Sequence, residues 1–276
     1  MEQSLQPGLY IVASPIGNLG DITLRAIEIL EGVSVVACED TRVTGRLLNH
    51  LGISKRMIRY DDHASEQTRH TLLAIMREQP VALLSDAGTP LVSDPGYRLV
   101  KDAREQGIAI TTLPGASAVL AGLTVSGLPS DRFLFAGFLP VKQKAREEVL
   151  RELGGVKTTL IFYETAPRLS ASLHSLAEVL PNREIAVARE LTKAFEECVT
   201  GSAAALLVHF EAKPPRGEIV LMVGPVRSDT RITMEEADTM LRSELEASKP
   251  SQAAARVAKL TGLDRKALYA RALELK

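Results

Sequence analysis

Five short apolar runs in the first 113 residues, each separated from the next by a stretch with helical character, constrain this chain more than any other feature. Gly8–Ala13, Val33–Cys38, Met57–Tyr60, Val81–Ser85 and Ile108–Leu113 are apolar in succession rather than at alternate positions. Continuous runs of this kind are strands buried on both faces, as in a parallel sheet covered by helices. Between them, Thr23–Glu31, Arg42–Leu51, Glu66–Glu78 and Gly96–Gln106 read as the covering helices. Thr23 is placed to cap the first, with Leu24, Ile27, Ile29 and Leu30 on one side and Gly32 to stop it. The predicted class is α/β, beginning with an open α/β domain.

After an apolar helix at Ala118–Val125, the turn formers Ser126–Asp131 read as a linker. The second half alternates again: strand Phe133–Phe138, helix Ala145–Leu153, strand Thr158–Tyr163, helix Leu169–Leu180 and strand Ile185–Arg189. Phe195–Thr200 and Gly217–Val223 then flank a short helix at Ala203–Phe210, a rhythm that predicts a mixed sheet with antiparallel pairs. The length of 276 residues suits two modest domains plus an appendage, with boundaries at 1–125, 126–227 and 228–276. The appendage is helical and its charge is split: residues 228–248 carry two basic and six acidic side chains, residues 249–276 seven basic and two acidic. Ser251 can cap a helix that Gly262 stops, and Asp264 can cap another. Two small helices around a short turn resemble a helix-turn-helix, although taken alone they read more readily as a hairpin packed on the body with solvated charges.

Composition removes several classes of function. A formal charge of −1 gives no bulk attraction for nucleic acid, so any such site is a local patch. Cys38 and Cys198 stand 160 positions apart with no metal-ligand spacing and read as small buried thiols. No GxSxG or HExxH is present and the five histidines never cluster, which argues against acyl transfer and metal-dependent hydrolysis, so no metal is expected. With no basic leader and no apolar run near ~20 residues, the expectation is a cytoplasmic protein with no membrane contact.

Ligands of open α/β sheets bind beyond the carboxyl ends of the strands, so the loops there matter most. Ser14-Pro15-Ile16-Gly17-Asn18-Leu19-Gly20-Asp21 lets a ligand approach the backbone but matches neither dinucleotide nor P-loop fingerprints. Ser85-Asp86-Ala87-Gly88-Thr89-Pro90 sets a carboxylate where it can meet an amine or hydroxyl, with a helix cap as the lesser alternative for Asp86; Asp94-Pro95 could begin a helix. Leu113-Pro114-Gly115-Ala116-Ser117 leaves room for a planar or anionic group at a helix start. Glu39-Asp40-Thr41-Arg42 puts two acids and a guanidinium at a strand end, either as caps or for a substrate. Tyr163-Glu164 with Arg168, Arg189-Glu190-Leu191-Thr192-Lys193 and Gly217-Glu218 repeat the pattern in the second half, which makes a cleft between the halves the natural pocket.

Taken with Asp94-Pro95-Gly96-Tyr97, Gly127-Leu128-Pro129-Ser130-Asp131-Arg132-Phe133 and Gly137-Phe138-Leu139-Pro140, these motifs in this order resemble the tetrapyrrole-methylase-like S-adenosylmethionine methyltransferases over nearly the whole chain. The loop Asp61-Asp62-His63-Ala64-Ser65-Glu66 departs from the family's His-Asn-Glu pattern. The resemblance implies two open α/β domains of the class III methyltransferase fold with S-adenosylmethionine bent in the cleft. It implies a homodimer, and, in its ribosomal branch, 2′-O-methylation of a cytidine ribose in the decoding centre of 16S rRNA on the small ribosomal subunit. Carried over by motif, the cofactor residues are Pro15, Asp86, Gly88, Thr89, Pro90 and Asp94 from the first loops; Gly115 and Ser117 from the next; and Tyr163, Leu191, Gly217 and Glu218 from the second half. Transfer to a ribose hydroxyl needs alignment and a base, for which Glu39, Glu190 and Lys193 are candidates not separable by sequence. Lys193 could serve only if burial or nearby Arg189 kept it neutral. For phosphates the candidates are Lys142, Lys144, Arg146, Arg168 and Arg189, with Lys259, Arg265 and Lys266 in the basic appendage; Asp40 and Arg42 complete the RNA set. A small-tetrapyrrole methylase and a non-catalytic RNA-binding assembly factor are the competing functions.

Overall fold

The computed structural model describes residues 5–226, 234–261 and 263–275. Its first sheet is fully parallel in the order β3-β2-β4-β1-β5, from β1 (Gly8–Val12), β2 (Val35–Cys38), β3 (Arg56–Arg59), β4 (Pro80–Leu84) and β5 (Ile110–Leu113). Helices α1 (Leu24–Gly32), α2 (Thr41–His50), α3 (Glu66–Glu78) and α4 (Tyr97–Glu105) cover both faces. The continuous apolarity of β1 has a direct cause: Tyr10 and Val12 pack with Leu30 and Leu47 on one face, and Leu9 and Ile11 with Leu72 and Leu99 on the other. Thr23 caps α1 through the Ala26 N–H, as expected. Leu24 does not join the buried face and is 80% exposed, because it stands about 200° around the helix from buried Ala26.

The second sheet is mixed, in the order β6-β7-β10-β8-β9, with β6 (Phe133–Phe138) parallel to β7 (Thr159–Thr165) and antiparallel pairs linking β10 (Glu218–Val223), β8 (Ile185–Arg189) and β9 (Glu197–Gly201). One face buries Phe162, Val187 and Leu221 against α6 (Gln143–Gly154), α7 (Ala166–Val179) and α8 (Ala203–Ala212). The other buries Ala186, Val220 and Met222 against Val119 and Leu123 of α5 (Ala118–Val125), with Ile16 and Val92 from first-sheet loops packed beside them. This arrangement brings the two sets of strand-end loops together.

The described residues fall into two compact units dividing between Pro225 and Val226. The second consists of α9 (Met234–Ala247), α10 (Pro250–Thr261) and α11 (Arg265–Glu274) around Leu241, Ala254, Val257 and Leu268. Asp264 caps α11 through the Ala267 N–H. Ser251 is no cap: α10 begins one residue before it, at Pro250, whose missing N–H costs nothing in a first turn. Gly262 lies outside the described residues, as do residues 227–233 and Lys276. Arg271 pairs with Asp238 at 2.7 Å and Arg256 with Glu244 at 3.0 Å, so acidic α9 absorbs part of the basic charge; Lys259, Arg265 and Lys266 are exposed. No described helix is long and apolar enough to cross a membrane.

Gly122 sets how closely α5 lies on the second sheet. A Cβ there would stand 2.9 Å from Val220 Cγ1. Gly122→Val forces the helix outward, and overpacking of this kind costs about 1–3 kcal/mol. A lower melting temperature is expected; an unchanged one would mean that the contact tolerates a side chain.

Candidate functional site

The loops leaving β1, β2, β4 and β5 are tied together by backbone-directed hydrogen bonds. Ser14 and Gly88 exchange N–H···O bonds of 2.9 and 3.0 Å, a bridge that Gly88 makes at φ +81°. Inside it, the Ser14 hydroxyl donates to the Ser85 carbonyl and the Ser85 hydroxyl to the Gly88 carbonyl, both at 2.9 Å. Thr89 Oγ1 donates to the Ala116 carbonyl at 3.2 Å, and the Asp40 N–H donates to Asp86 Oδ1 at 3.1 Å. Asp86 is therefore not a helix cap. Neither is Asp94, since α4 starts after Gly96, which has φ +131° and no side-chain cap.

Facing these loops across a cleft of about 320 Å³ are Phe138, Tyr163–Thr165, Glu190, Leu191, Lys193 and Glu218–Val220, all from the same end of the second sheet. Among the cleft-lining residues are six carboxylates (Glu39, Asp86, Asp94, Glu164, Glu190, Glu218) and one lysine. Glu164 is buried and satisfied: it accepts from Ser172 Oγ at 2.5 Å and the Thr165 N–H at 2.9 Å, with Arg168 Nε 3.2 Å away. Glu190 meets Lys193 Nζ at 3.0 Å. Glu39, Asp86, Asp94 and Glu218 form no ion pair with another described residue.

Burial, reinforced by neighbouring carboxylates, raises the proton affinity of three of these groups. Asp94 is pushed up to about 7, by burial first and then by Glu39, Asp86, Glu218 and Asp62. Burial also raises Glu39, reinforced by Asp86, Asp62 and Asp61 and opposed by Arg59; Asp86 is raised mainly by burial. Tyr163 is pushed up to about 12 by burial, Asp94 and Glu218, so its hydroxyl keeps its proton; Phe135 and Phe138 pack edge-on against its ring, centroids 4.8 and 5.6 Å away. A cation with an apolar body fits such a lining: Ile16, Val92, Ala118, Phe138, Ile219 and Val220 supply the apolar wall.

Among the described residues, four non-glycines have positive φ, Leu91 (73°), Ser93 (61°), Glu190 (51°) and Thr192 (66°), in two loops at this cleft. Left-handed backbone costs roughly 1 kcal/mol or more per residue, and it accumulates where a binding geometry is imposed. Two glycines shape the same region. A Cβ on Gly217 would lie 2.5 Å from Glu190 Oε1, and one on Gly17 would lie 2.6 Å from Lys193 Cε, so both side chains lie directly over glycine backbone.

Of the residues expected from sequence, Glu39, Asp86, Gly88, Thr89, Asp94, Ser117, Tyr163, Glu190, Leu191, Lys193 and Glu218 line the cleft. Pro15, Pro90, Gly115 and Gly217 do not; Pro15 and Pro90 are buried behind it, and a Cβ on Gly115 would meet Ala13 Cβ at 2.8 Å. Several expected RNA contacts are corrected. Arg146 is buried, its guanidinium spent on Ser175 Oγ at 2.9 Å and the Pro140 and Val141 carbonyls. Arg168 donates to the Leu139 carbonyl and faces Glu164, and Arg189 is held by Glu197 at 2.6 Å. Lys193 therefore meets an anion, Glu190, where sequence suggested the cation Arg189. Asp40 caps α2 and pairs with Arg42 at 2.5 Å, whose hydrogen bonds hold its carboxyl well below the usual range. Lys142 and Lys144 are exposed. Phe138 and Ser93 line the cleft without having been expected from sequence, the Gly137-Phe138-Leu139-Pro140 motif being the available signal for the first; Glu164, expected among the strand-end charges, lines it too.

The model of the Tetrapyrrole (Corrin/Porphyrin) Methylases matches residues 8–207, and that of the RsmI C-terminal HTH domain matches residues 233–276. The chain is 64% identical over 278 residues to ribosomal RNA small subunit methyltransferase I of Erythrobacter litoralis (99% of this chain, 97% of the relative). It is 52% identical to the protein of that name from Mesorhizobium japonicum (99% and 93%). Among solved structures, uroporphyrin-III C-methyltransferase from Thermus thermophilus, complexed with S-adenosylhomocysteine, shares the fold at a TM-score of 0.54 and 22% identity, covering 79% of this chain and 98% of that one.

A titration tests the electrostatics of the cleft. The folded-state value of Asp94 lies above the ordinary carboxylate value, so the folded chain binds the extra proton and loses stability as pH rises from about 4 to about 7. Asp94→Asn removes that loss. The variant should melt above wild type at pH 8 and close to it at pH 4.5; an equal difference at both values would mean that Asp94 titrates normally.

Proposed function

Because the chain belongs to the ribosomal RNA small subunit methyltransferase I branch of the tetrapyrrole methylases, we propose that it methylates 16S rRNA with S-adenosylmethionine as donor, at the 2′-oxygen of a cytidine in the decoding centre. The observation that carries the reading is the cleft itself, with six carboxylates and one lysine around an apolar wall. S-adenosylmethionine, when bound, supplies an electrophilic methyl group on a positively charged sulfur. Asp86, Asp94 and Glu218 offer the negative charge that such a donor needs, and Ile16, Val92, Ala118 and Val220 the apolar surface for its base.

The chain's own part is to position the ribose, exclude water and take a proton. Glu39 is the base in this proposal: it directly follows β2 at the cleft, has no cationic partner within ion-pair distance among the described residues, and burial raises its proton affinity. Its carboxylate accepts the 2′-hydroxyl proton as the oxygen takes the methyl group in line with the sulfur. The Glu190–Lys193 pair, folded over Gly17 and Gly217, holds the opposite rim in place. Exposed Lys142, Lys144, Lys259, Arg265 and Lys266 remain as phosphate contacts. The charge of the cleft also favours this donor-binding reading over a non-catalytic assembly factor, which needs no anionic pocket.

Mass-spectrometric mapping of 16S rRNA from a strain lacking the gene, before and after treatment with the purified protein, tests the assignment. A ribose methyl group absent from the first sample and restored in the second supports it; unmodified RNA after treatment refutes it. Glu39→Gln should lower the single-turnover rate about 10²–10⁴-fold, the usual cost of removing a general base, with donor affinity little changed. The wild-type rate should rise with pH through a midpoint above the ordinary glutamate value.

A further inference from the structure

A second hollow, of about 610 Å³, is lined by Ala64, Glu66, Arg69, Tyr97, Arg98, Lys101 and Asp102, from α3, α4 and the loop before α3. Its side chains divide into two sets. Arg69 is fixed in place by Asp102 at 2.7 Å and reaches Glu66 at 3.5 Å, and its side chain is only 15% exposed. Tyr97, Arg98 and Lys101 are instead presented outward. The Tyr97 residue is 70% exposed, Arg98 forms no ion pair among the described residues, and Lys101 has only a 3.8 Å contact with Glu105. Tyr97 and Lys101 are four apart on α4 and Arg98 and Lys101 three apart, so ring, guanidinium and ammonium are neighbours on one stretch of helix surface. The first of them follows Asp94, a cleft residue, by three positions. Ala64, from the loop before α3, and Glu66, the first residue of that helix, complete the lining.

We infer that this hollow is a docking surface for an unpaired stretch of the substrate RNA, with a base stacked on Tyr97 and neighbouring phosphates on Arg98 and Lys101. An exposed aromatic face beside exposed cations is the chemistry of single-strand recognition. Duplex RNA presents no free base to stack. A protein partner would require an apolar centre, and here only Ala64 accompanies the tyrosine. The inference rests on the rRNA reading above and adds to it the place where the strand is held before the ribose enters the cleft.

Steady-state methylation of small ribosomal subunits by Tyr97→Ala and by the double variant Arg98→Gln/Lys101→Gln tests it, alongside wild type and Tyr97→Phe. Each disrupted variant should raise KM for the subunit about tenfold or more, through one lost stacking contact in Tyr97→Ala and two lost phosphate contacts in the double variant. Unchanged kcat, donor affinity and melting temperature are expected. Tyr97→Phe should behave as wild type, and the double variant should lower the log–log salt slope of RNA binding by about 1.4, two contacts at about 0.7 each on a single strand. Wild-type KM in both disrupted variants, or a fall in kcat with KM unchanged, overturns the inference while leaving the methyltransferase reading intact. Wild-type protein that methylates no subunit or rRNA overturns that reading itself.

Discussion

The two hydrogen bonds between Ser14 and Gly88 join the ends of strands separated by 74 positions of sequence, and the cleft takes its shape from them. Backbone groups at a strand end lose their ladder partners and must find others. Here they find each other, with the Ser14 and Ser85 hydroxyls filling the inside of the turn and Thr89 extending the tie to Ala116. The Asp40 N–H on Asp86 adds the fourth loop. With main-chain polarity satisfied locally, the side chains that leave these loops are free to face a ligand, and Glu39, Asp86 and Asp94 do so.

The same division explains what could be read from sequence. Strands such as Ile185–Arg189 and helices such as Glu66–Glu78 follow from apolar runs and spacing, which are local signals, and the structure places them at those residues. The cleft carboxylates were legible because they stand at strand ends beside glycines. The arginines were misread for a common reason. A guanidinium is visible in sequence, but its acceptors are not: Arg146 finds Ser175, 29 positions away, and Arg168 finds Leu139 at the same separation. One local signal was available for Arg146, which stands one helical turn from fully buried Leu150 and so shares its inward face.

A net charge of −1 conceals a separation of function in space. Negative charge collects in the cleft, whereas Lys142, Lys144, Arg98 and Lys101 are exposed. In the proposed reaction, phosphates are repelled from the anionic pocket and attracted to external cations, so an RNA backbone stays outside while a sugar and its base approach the carboxylates.

Charge also bears on the order of events in the proposed reaction. Carboxylates without cationic partners raise one another's proton affinity, which is a cost to the ligand-free protein that a bound cation removes. Methyl transfer converts a sulfonium into a neutral thioether, and the attraction that favoured the donor is weakened at the moment the product forms. A fully ion-paired cleft would hold donor and product alike. One that leaves Asp86, Asp94 and Glu218 without an ion-pair partner among the described residues distinguishes them by charge, so the charge that makes this lining costly in the free protein is also what favours exchange of product for fresh donor.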